Sequence, residues 1–522
     1  MTNLLFKTLA KHAASDQIAV RVPDAPQQSG TTWTYSDLFE QAARAASVLT
    51  DNGVRPGDRV AMQCVKCIDA LALYLGCAQT GAAFLPLNTA YTAKEITYFL
   101  NDAEVALFVC SPDMDQTSID AELKMLTVDG KGGGSFEKAL AGATPNRDVA
   151  DVKPADLGAI LYTSGTTGRS KGAMLSQSNL ASNTEVLVDY WKFSAADVLL
   201  HTLPIYHTHG LFVATNVVLA TGGSMLFHAA FNVDAVLADL PYATTMMGVP
   251  TFYTRLLADP RFDKAKTEHM RLFTSGSAPM LLETHLEFEE RTGQRILERY
   301  GMTETGMLTS NPYASELGER RPGTVGFPLP GVDLRVVDPD APAAADATAE
   351  VKSGDIGMIE VKGPNVFSGY WRMPEKTAEE FRDDGYFVTG DLGTRDSDGY
   401  VSIVGRNKDL IITGGFNVYP KEIELLIDDV DGVVESAVIG LPHPDFGEAV
   451  TAVLVAENFA AGGDSDPGHS SLIESVKGVA AEELAKFKQP KNYLVLEELP
   501  RNTMGKVQKN ELRKQFDALY KP

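Results

Sequence analysis

Cysteine is scarce. The chain has four, Cys64, Cys67, Cys77 and Cys110, among 522 residues. So few cannot staple so long a chain into a disulfide framework. Cys64 and Cys67 form a C-x-x-C, but no second ligand pair lies near them in sequence and no thioredoxin-like pattern surrounds them, so a structural role is expected. Positive charge is also in deficit: 46 Lys and Arg stand against 69 Asp and Glu, a net charge of −23. A nucleic-acid partner needs a basic face to neutralise phosphates, and this balance argues against one. It does not exclude small anionic substrates, because a local cationic pocket can sit inside an acidic shell. Long apolar runs are missing too. The opening MTNLLFKTLAKHAASD lacks the apolar core of a secretory signal and has too few arginines for a mitochondrial leader. The most apolar stretch, residues 70–87, is broken by Gln79, Thr80 and glycine, and reads as a helix followed by a strand rather than a membrane span. No membrane partner and a cytoplasmic location are therefore expected.

What is present is an ordinary globular composition, 44% apolar and 22% charged, at a length that allows more than one domain. Short apolar strands alternate with amphipathic helical stretches. DRVAMQC precedes IDALALYLGCAQTG and AAFLPLN, and the polar helix start TAKEITYFLND precedes VALFVCS. That alternation predicts an α/β fold with parallel sheets. No repeat of 20–50 residues is found. Residues 338–354 and 461–470 read as surface loops. The last ~115 residues carry a different run of signals, YPKEIELLIDD, VVESAVIGL, AVTAVLVAE and a helix near 471–484, which predicts a separate α+β module.

The densest chemical signal is YTSGTTGRSKG at residues 162–172, after the buried-strand pattern LGAILY. Glycines let a backbone approach an anion and expose its N–H groups. Thr163, Ser164, Thr166 and Thr167 can donate to phosphate oxygens, and Lys171 adds a full charge. This is not a Walker loop, because Ser170 rather than glycine precedes Lys171. A strand feeding so dense a donor cluster points to phosphate binding rather than to a passive polar loop.

The segment resembles the phosphate-binding signature of the adenylate-forming superfamily, which includes acyl-CoA synthetases, luciferases and peptide-synthetase adenylation domains. Further matching segments follow in that superfamily's order: LPIYHTHG at 203–210, YGMTETG at 300–306, TGD at 389–391, GRNKDLIITGGFNVYPKEIE at 405–424 and PRNTMGKVQK at 500–509. Within it, PLNTAYT, GVPTFYTRLL, SGSAPM and ERYGMTET are similar to the malonyl-CoA synthetases, over nearly the whole chain. The resemblance implies a large N-terminal α/β domain of several subdomains over 1–405, a hinge at 406–409 centred on Lys408, and a small mobile α+β domain over 410–522. It implies ATP, Mg²⁺ and coenzyme A as cofactors and co-substrates, and is compatible with a homodimer.

Site roles carry over residue by residue. The loop 163–168, including Gly165 and Gly168, and Lys171 would cradle phosphates. Gly276, Ser277 and Ala278 would wall the adenine opposite Tyr300, with Glu298, Arg299, Gly301 and Met302 beside it. Glu304 would hold Mg²⁺ and Thr303 would donate to the α-phosphate. Asp391 would accept from both ribose hydroxyls and Arg406 would stand on the ribose and phosphate side. Lys506 would bridge the acid and the α-phosphate as charge builds, and Gly414 and Gly415 would line a pantetheine tunnel. His207 would gate the acyl pocket.

A fatty-acid enzyme needs an apolar tunnel, in which a terminal charge would cost several kcal/mol. Malonate or methylmalonate instead needs a second cationic anchor, and arginine's planar fork suits a carboxylate. Arg255 and Arg299 match the malonyl-CoA synthetase positions, Ser277 can add a hydrogen bond, and Thr208 and Met307 would border carbon 2. Two half-reactions are implied, adenylation and then thiol attack, separated by rotation at Lys408. Rival expectations are another small acid, a carrier-protein-loading adenylation enzyme, or a silent nucleotide-binding scaffold.

Overall fold

A computed structural model describes residues 3–23, 31–114, 116–119, 123–163, 170–278, 280–338, 350–414, 416–457, 467–502 and 505–520. The chain divides into two compact units, residues 1–333 with 361–387 and residues 334–360 with 388–522. The larger first unit is α/β and the smaller second unit is α+β, as the alternation of signals predicts.

Two sheets organise the first unit. The six-stranded sheet runs Lys124–Thr127, Val105–Cys110, Arg59–Gln63, Ala83–Pro86, Leu157–Thr163, Lys171–Ser176. Its strands are parallel except for the last pair. The stretch at 70–87 is indeed helix then strand, Ile68–Thr80 and Ala83–Pro86. The helix Ala93–Asp102 starts where TAKE predicts. Thr92 accepts from the Glu95 N–H and Glu95 returns a bond to the Thr92 N–H, so two otherwise unpaired donors are satisfied.

The nine-stranded sheet runs Phe327–Pro328, Gly306–Ser310, Leu297–Met302, Leu272–Ser275, Thr245–Gly248, Val198–His201, Ser224–Phe227, Ile18–Val22, Thr31–Thr34. The strands from Leu297–Met302 to Ile18–Val22 are parallel. Strands such as Thr245–Gly248 are buried at every position, because the crossovers of parallel strands put cover on both faces. An aromatic cluster of Tyr253, Phe262, Phe273 and Phe288 packs one side. Parallel strands present their carboxyl ends along one edge, where open α/β sheets bind ligands. His201, Ser275 and Met302 all end strands there.

The second unit pairs Phe387–Arg395 with Val401–Arg406, which sets Asp391 opposite Arg406. Its five-stranded sheet is built on the long hairpin Val433–His443 and Gly447–Ala456. Alternate residues of the first strand serve opposite faces. Val438 joins the core under helices Pro420–Asp428 and Pro467–Glu483, while Ala437, Ile439 and Leu441 pack beneath Lys509–Gln515. The expected loop at 461–470 is corrected at its end, since the helix begins at Pro467. Proline is tolerated at a first helical position, where its missing N–H would have no partner. Residues 461–466 lie outside the described residues, as do 339–349 of the other expected loop. Among the described residues no helix is long and apolar enough to cross a membrane.

Candidate active site

Thr163 ends one strand and Lys171 begins the next, and the two stand opposite each other in the antiparallel pair. Ser164, Gly165, Thr166, Thr167 and Gly168, which join them, lie outside the described residues. Lys171 Nζ donates to Glu380 Oε1 at 2.8 Å and lies 4.1 Å over the ring of Tyr370. The Tyr370 hydroxyl is 2.6 Å from Glu380 Oε2 and 3.2 Å from Glu304 Oε1. Thr163 Oγ1 donates to the same Glu304 oxygen at 3.2 Å. One chain of contacts therefore joins Thr163, Glu304, Tyr370, Glu380 and Lys171. Burial raises the pKa of Glu380, but the bonds from Lys171 and Tyr370 outweigh it and hold the carboxyl below its usual range. Burial, then the charge of Glu304, pushes the Tyr370 phenol up, so it stays protonated.

Glu304 is buried in the turn between strands Leu297–Met302 and Gly306–Ser310, with half-buried Thr303 beside it. Among the described residues no group of three or more His, Cys, Asp or Glu could hold a metal alone. A single carboxylate completed by phosphate oxygens and water is the pattern Mg²⁺ favours, and Glu304 fits it.

The strand Leu297–Met302 sorts its residues by alternation. Glu298 Oε1 accepts from His285 Nε2 at 2.7 Å and from the Gly323 N–H at 3.0 Å. Arg299 faces the other way, so the Glu298–Arg299 pair that adjacency would allow does not form. Tyr300 is half-buried opposite Thr309, followed by half-buried Gly301 and Met302. Met307, on the partner strand, is buried, and both its backbone groups bond to Asn183.

Arg299 is only 3% exposed, and its Nε and Nη2 have no hydrogen-bond partner. Burial pushes its pKa down to about 9. Gly276 makes room for it: a Cβ there would lie 2.4 Å from Arg299 Nη1. Ser277 follows with φ +71°, a left-handed conformation costly for a residue with a side chain, and Ala278 is half-buried. Ser277 Oγ is 3.4 Å from His209 Nδ1, and His209 Nε2 is buried without a partner. Burial, then the Arg299 charge, holds His209 neutral. Thr208 Oγ1 is likewise buried and unpartnered, and burial lowers the His207 pKa to about 4. Arg299, His209 and Ser277 thus gather around one another beside His207 and Thr208. Arg255 is not among them. It is exposed on the helix Pro250–Leu257, and Tyr253 on the same helix is the residue that faces Arg299. Two residues on, a helix has turned by about 200°.

In the second unit, Asp391 is buried and Arg406 Nε meets its Oδ1 at 2.6 Å. Although Lys506 is exposed as a residue, burial of its ammonium, then the charges of Arg406 and Lys408, lowers its pKa against the opposing pull of Asp391 and Asp409. Lys408 sits in the short turn Asn407–Asp409, and Asp409 is anchored to Arg513 at 2.8 Å. Gly414 has φ +57° and its N–H donates to Phe446 O at 2.8 Å, whereas Gly415 lies outside the described residues.

Sequence reasoning missed Tyr370, Glu380 and His209 as site residues. No local signal marks the first two, because their importance comes from Lys171, two hundred residues away in sequence. His209 was visible only as a polar neighbour of His207.

The AMP-binding enzyme model matches residues 6–371, and the AMP-binding enzyme C-terminal domain matches residues 422–506. A malonate–CoA ligase of Arabidopsis thaliana is 33% identical, over 98% of this chain and 89% of its own. A feruloyl-CoA synthase of an Amycolatopsis species is 34% identical over 94% and 96%. The crystal structure of ATP-bound MatB from Rhodopseudomonas palustris is 53% identical, covers 100% of both chains and superposes with a TM-score of 0.92.

Proposed function

The chain belongs to the AMP-binding enzyme family, and from that premise we propose that it ligates malonate to coenzyme A at the expense of ATP. Among the curated relatives, identity does not separate malonate from ferulate, but the 53% identity to MatB over the whole chain supports malonate. The observation that carries the reading is Arg299, a buried guanidinium with unpartnered donors and, among the described residues, no carboxylate of its own. A carboxylic acid with an apolar tail leaves that charge uncompensated, whereas a second carboxylate neutralises it and fills its fork. His209 and Ser277 add donors on either side. Arg255 is proposed as an outer anchor, and Thr208 and Met307 as the groups bordering carbon 2. One methyl changes binding by only about 1–3 kcal/mol, so methylmalonate is turned over too.

In the first half-reaction an oxygen of one malonate carboxylate forms a bond to the α-phosphorus of ATP, and the bond to the β-phosphate breaks. Two anions must meet, and at ~4 Å with an effective dielectric of ~20 a pair of unit charges repels by roughly 4 kcal/mol. Lys171 and the hydroxyls of 163–167 take up phosphate charge, Thr303 donates to the α-phosphate, and Lys506 bridges the two reactants. Mg²⁺, when bound, neutralises phosphate charge, and Glu304 is the residue that holds it. Tyr300, with 276–278 opposite, stacks on adenine, and Asp391 and Arg406 hold the ribose. In the second half-reaction the module beyond Lys408 turns, withdrawing Lys506 and presenting Gly414 and Gly415 to the pantetheine arm. The thiol sulfur then bonds to the acyl carbon and AMP leaves.

A panel of malonate, methylmalonate, succinate, acetate and octanoate, read as CoA-dependent AMP release, tests the reading. Malonate should give the highest kcat/KM, with methylmalonate next. Octanoate or acetate in first place would reject the dicarboxylate assignment.

A further inference from the structure

The C-x-x-C segment that looked merely structural holds a lysine with an unusual setting. Lys66 follows the strand Arg59–Gln63 of the six-stranded sheet. Its Nζ donates to the carbonyl oxygen of His201 at 2.8 Å, lies 2.9 Å from His201 Nδ1, and sits 4.2 Å over the ring of Phe227. His201 closes the strand Val198–His201 in the middle of the nine-stranded sheet and is 1% exposed. Its other nitrogen, Nε2, is 2.9 Å from the carbonyl of Gly210 and 3.0 Å from Thr215 Oγ1. Lys66 Nζ has a proton for each of its two acceptors on His201, so Nδ1 accepts, and Nε2–H is left to donate to Gly210.

Gly210 is the base of the loop that carries His207, Thr208 and His209. The loop is closed tightly on itself: a Cβ on Gly210 would lie 2.1 Å from the carbonyl oxygen of Pro204. From His209 to Thr215 the chain is a π-helix, a rare form that recurs at functional sites. The relay Lys66, His201, Gly210 thus ties the ends of two sheets to the loop beside Arg299. No Asp or Glu among the described residues forms an ion pair with Lys66, whereas a lysine serving packing alone is ordinarily matched by a carboxylate. Burial holds the Lys66 ammonium well below its usual pKa, and burial, then Lys66, lowers that of His201.

We propose that Lys66 and His201 are positioning residues for acid specificity, which fix the His207–His209 loop in the place that a dianionic acid requires. This rests on reading the Arg299 pocket as the acid site. A vacant acceptor in a buried relay weakens what it holds by about tenfold.

The test is steady-state kinetics on the full-length enzyme with malonate and acetate, together with thermal unfolding with and without malonate. Lys66→Met should raise KM for malonate about tenfold, leave KM for ATP within about twofold, and reduce the malonate-induced rise in Tm. His201→Gln, whose amide can still donate to Gly210, should lie closer to wild type than His201→Leu. That comparison carries the test if Lys66→Met does not fold. Equal losses for malonate, acetate and ATP, or a His201→Gln no better than His201→Leu, would reduce the relay to a structural support and overturn the proposal. A wild type that does not prefer malonate would instead overturn the reading of the pocket.

Discussion

A charged guanidinium buried without a counter-ion is costly to the folded state, and among the described residues Arg299 has none. Its folded pKa, about 9, lies well below the value it has in the unfolded chain. The folded chain therefore binds fewer protons than the unfolded one between those values, so this residue's penalty is full at neutral pH and is relieved as pH rises through that window. Arg299→Met should accordingly raise Tm in the absence of acid by roughly 1–3 °C, yet abolish the rise in Tm that malonate produces in the wild type. Differential scanning calorimetry with and without malonate checks both signs. Arg299 could be proposed from the sequence because its neighbours marked a family position, but that it is unpaired could not. Adjacency would allow a pair with Glu298, and strand alternation, with His285 on the far side, excludes it. Arg255 stands apart from the cluster around Arg299. Its position matched, and the turn of its helix exposes it.

Among elements, the strands, their order of appearance and the capped helix at 93 were legible because hydrophobic period and end signals act locally. The helix start at Pro467 was not, because a glycine- and proline-rich composition hides a helix that tertiary packing stabilises. The contact chain from Thr163 to Lys171 was equally hidden, since Tyr370 and Glu380 arrive from a distant segment. Tyr370→Phe removes the hydroxyl that stands between two carboxylates without changing the ring under Lys171. It should weaken MgATP binding about 3–10-fold, measured by isothermal titration, while leaving KM for malonate within twofold. Equal losses in both would point to general misfolding of the hairpin rather than to positioning of Glu304.

For the whole molecule, the proposed cycle uses one lysine in one half-reaction. Lys506→Ala should lower malonate-dependent pyrophosphate exchange by about 10²–10³-fold, the scale of losing one preorganised transition-state charge. It should leave CoA attack on supplied malonyl adenylate nearly unchanged. Equal loss in the two assays would reject the alternation at Lys408. The net charge of −23 gives no hint of a site for anions, which illustrates how a cationic pocket is built locally, by burial and by the absence of carboxylates, inside an acidic protein. The claim on which all of this depends is that the far end of the acid meets Arg299. The most direct measurement is the ratio of kcat/KM for malonate to that for acetate, in the wild type and in Arg299→Met. The expected ratio is well above one in the wild type and falls by at least about a hundredfold in the variant, through loss of malonate activity alone, as for removing a buried charge-paired hydrogen bond. A ratio unchanged by the substitution would contradict it.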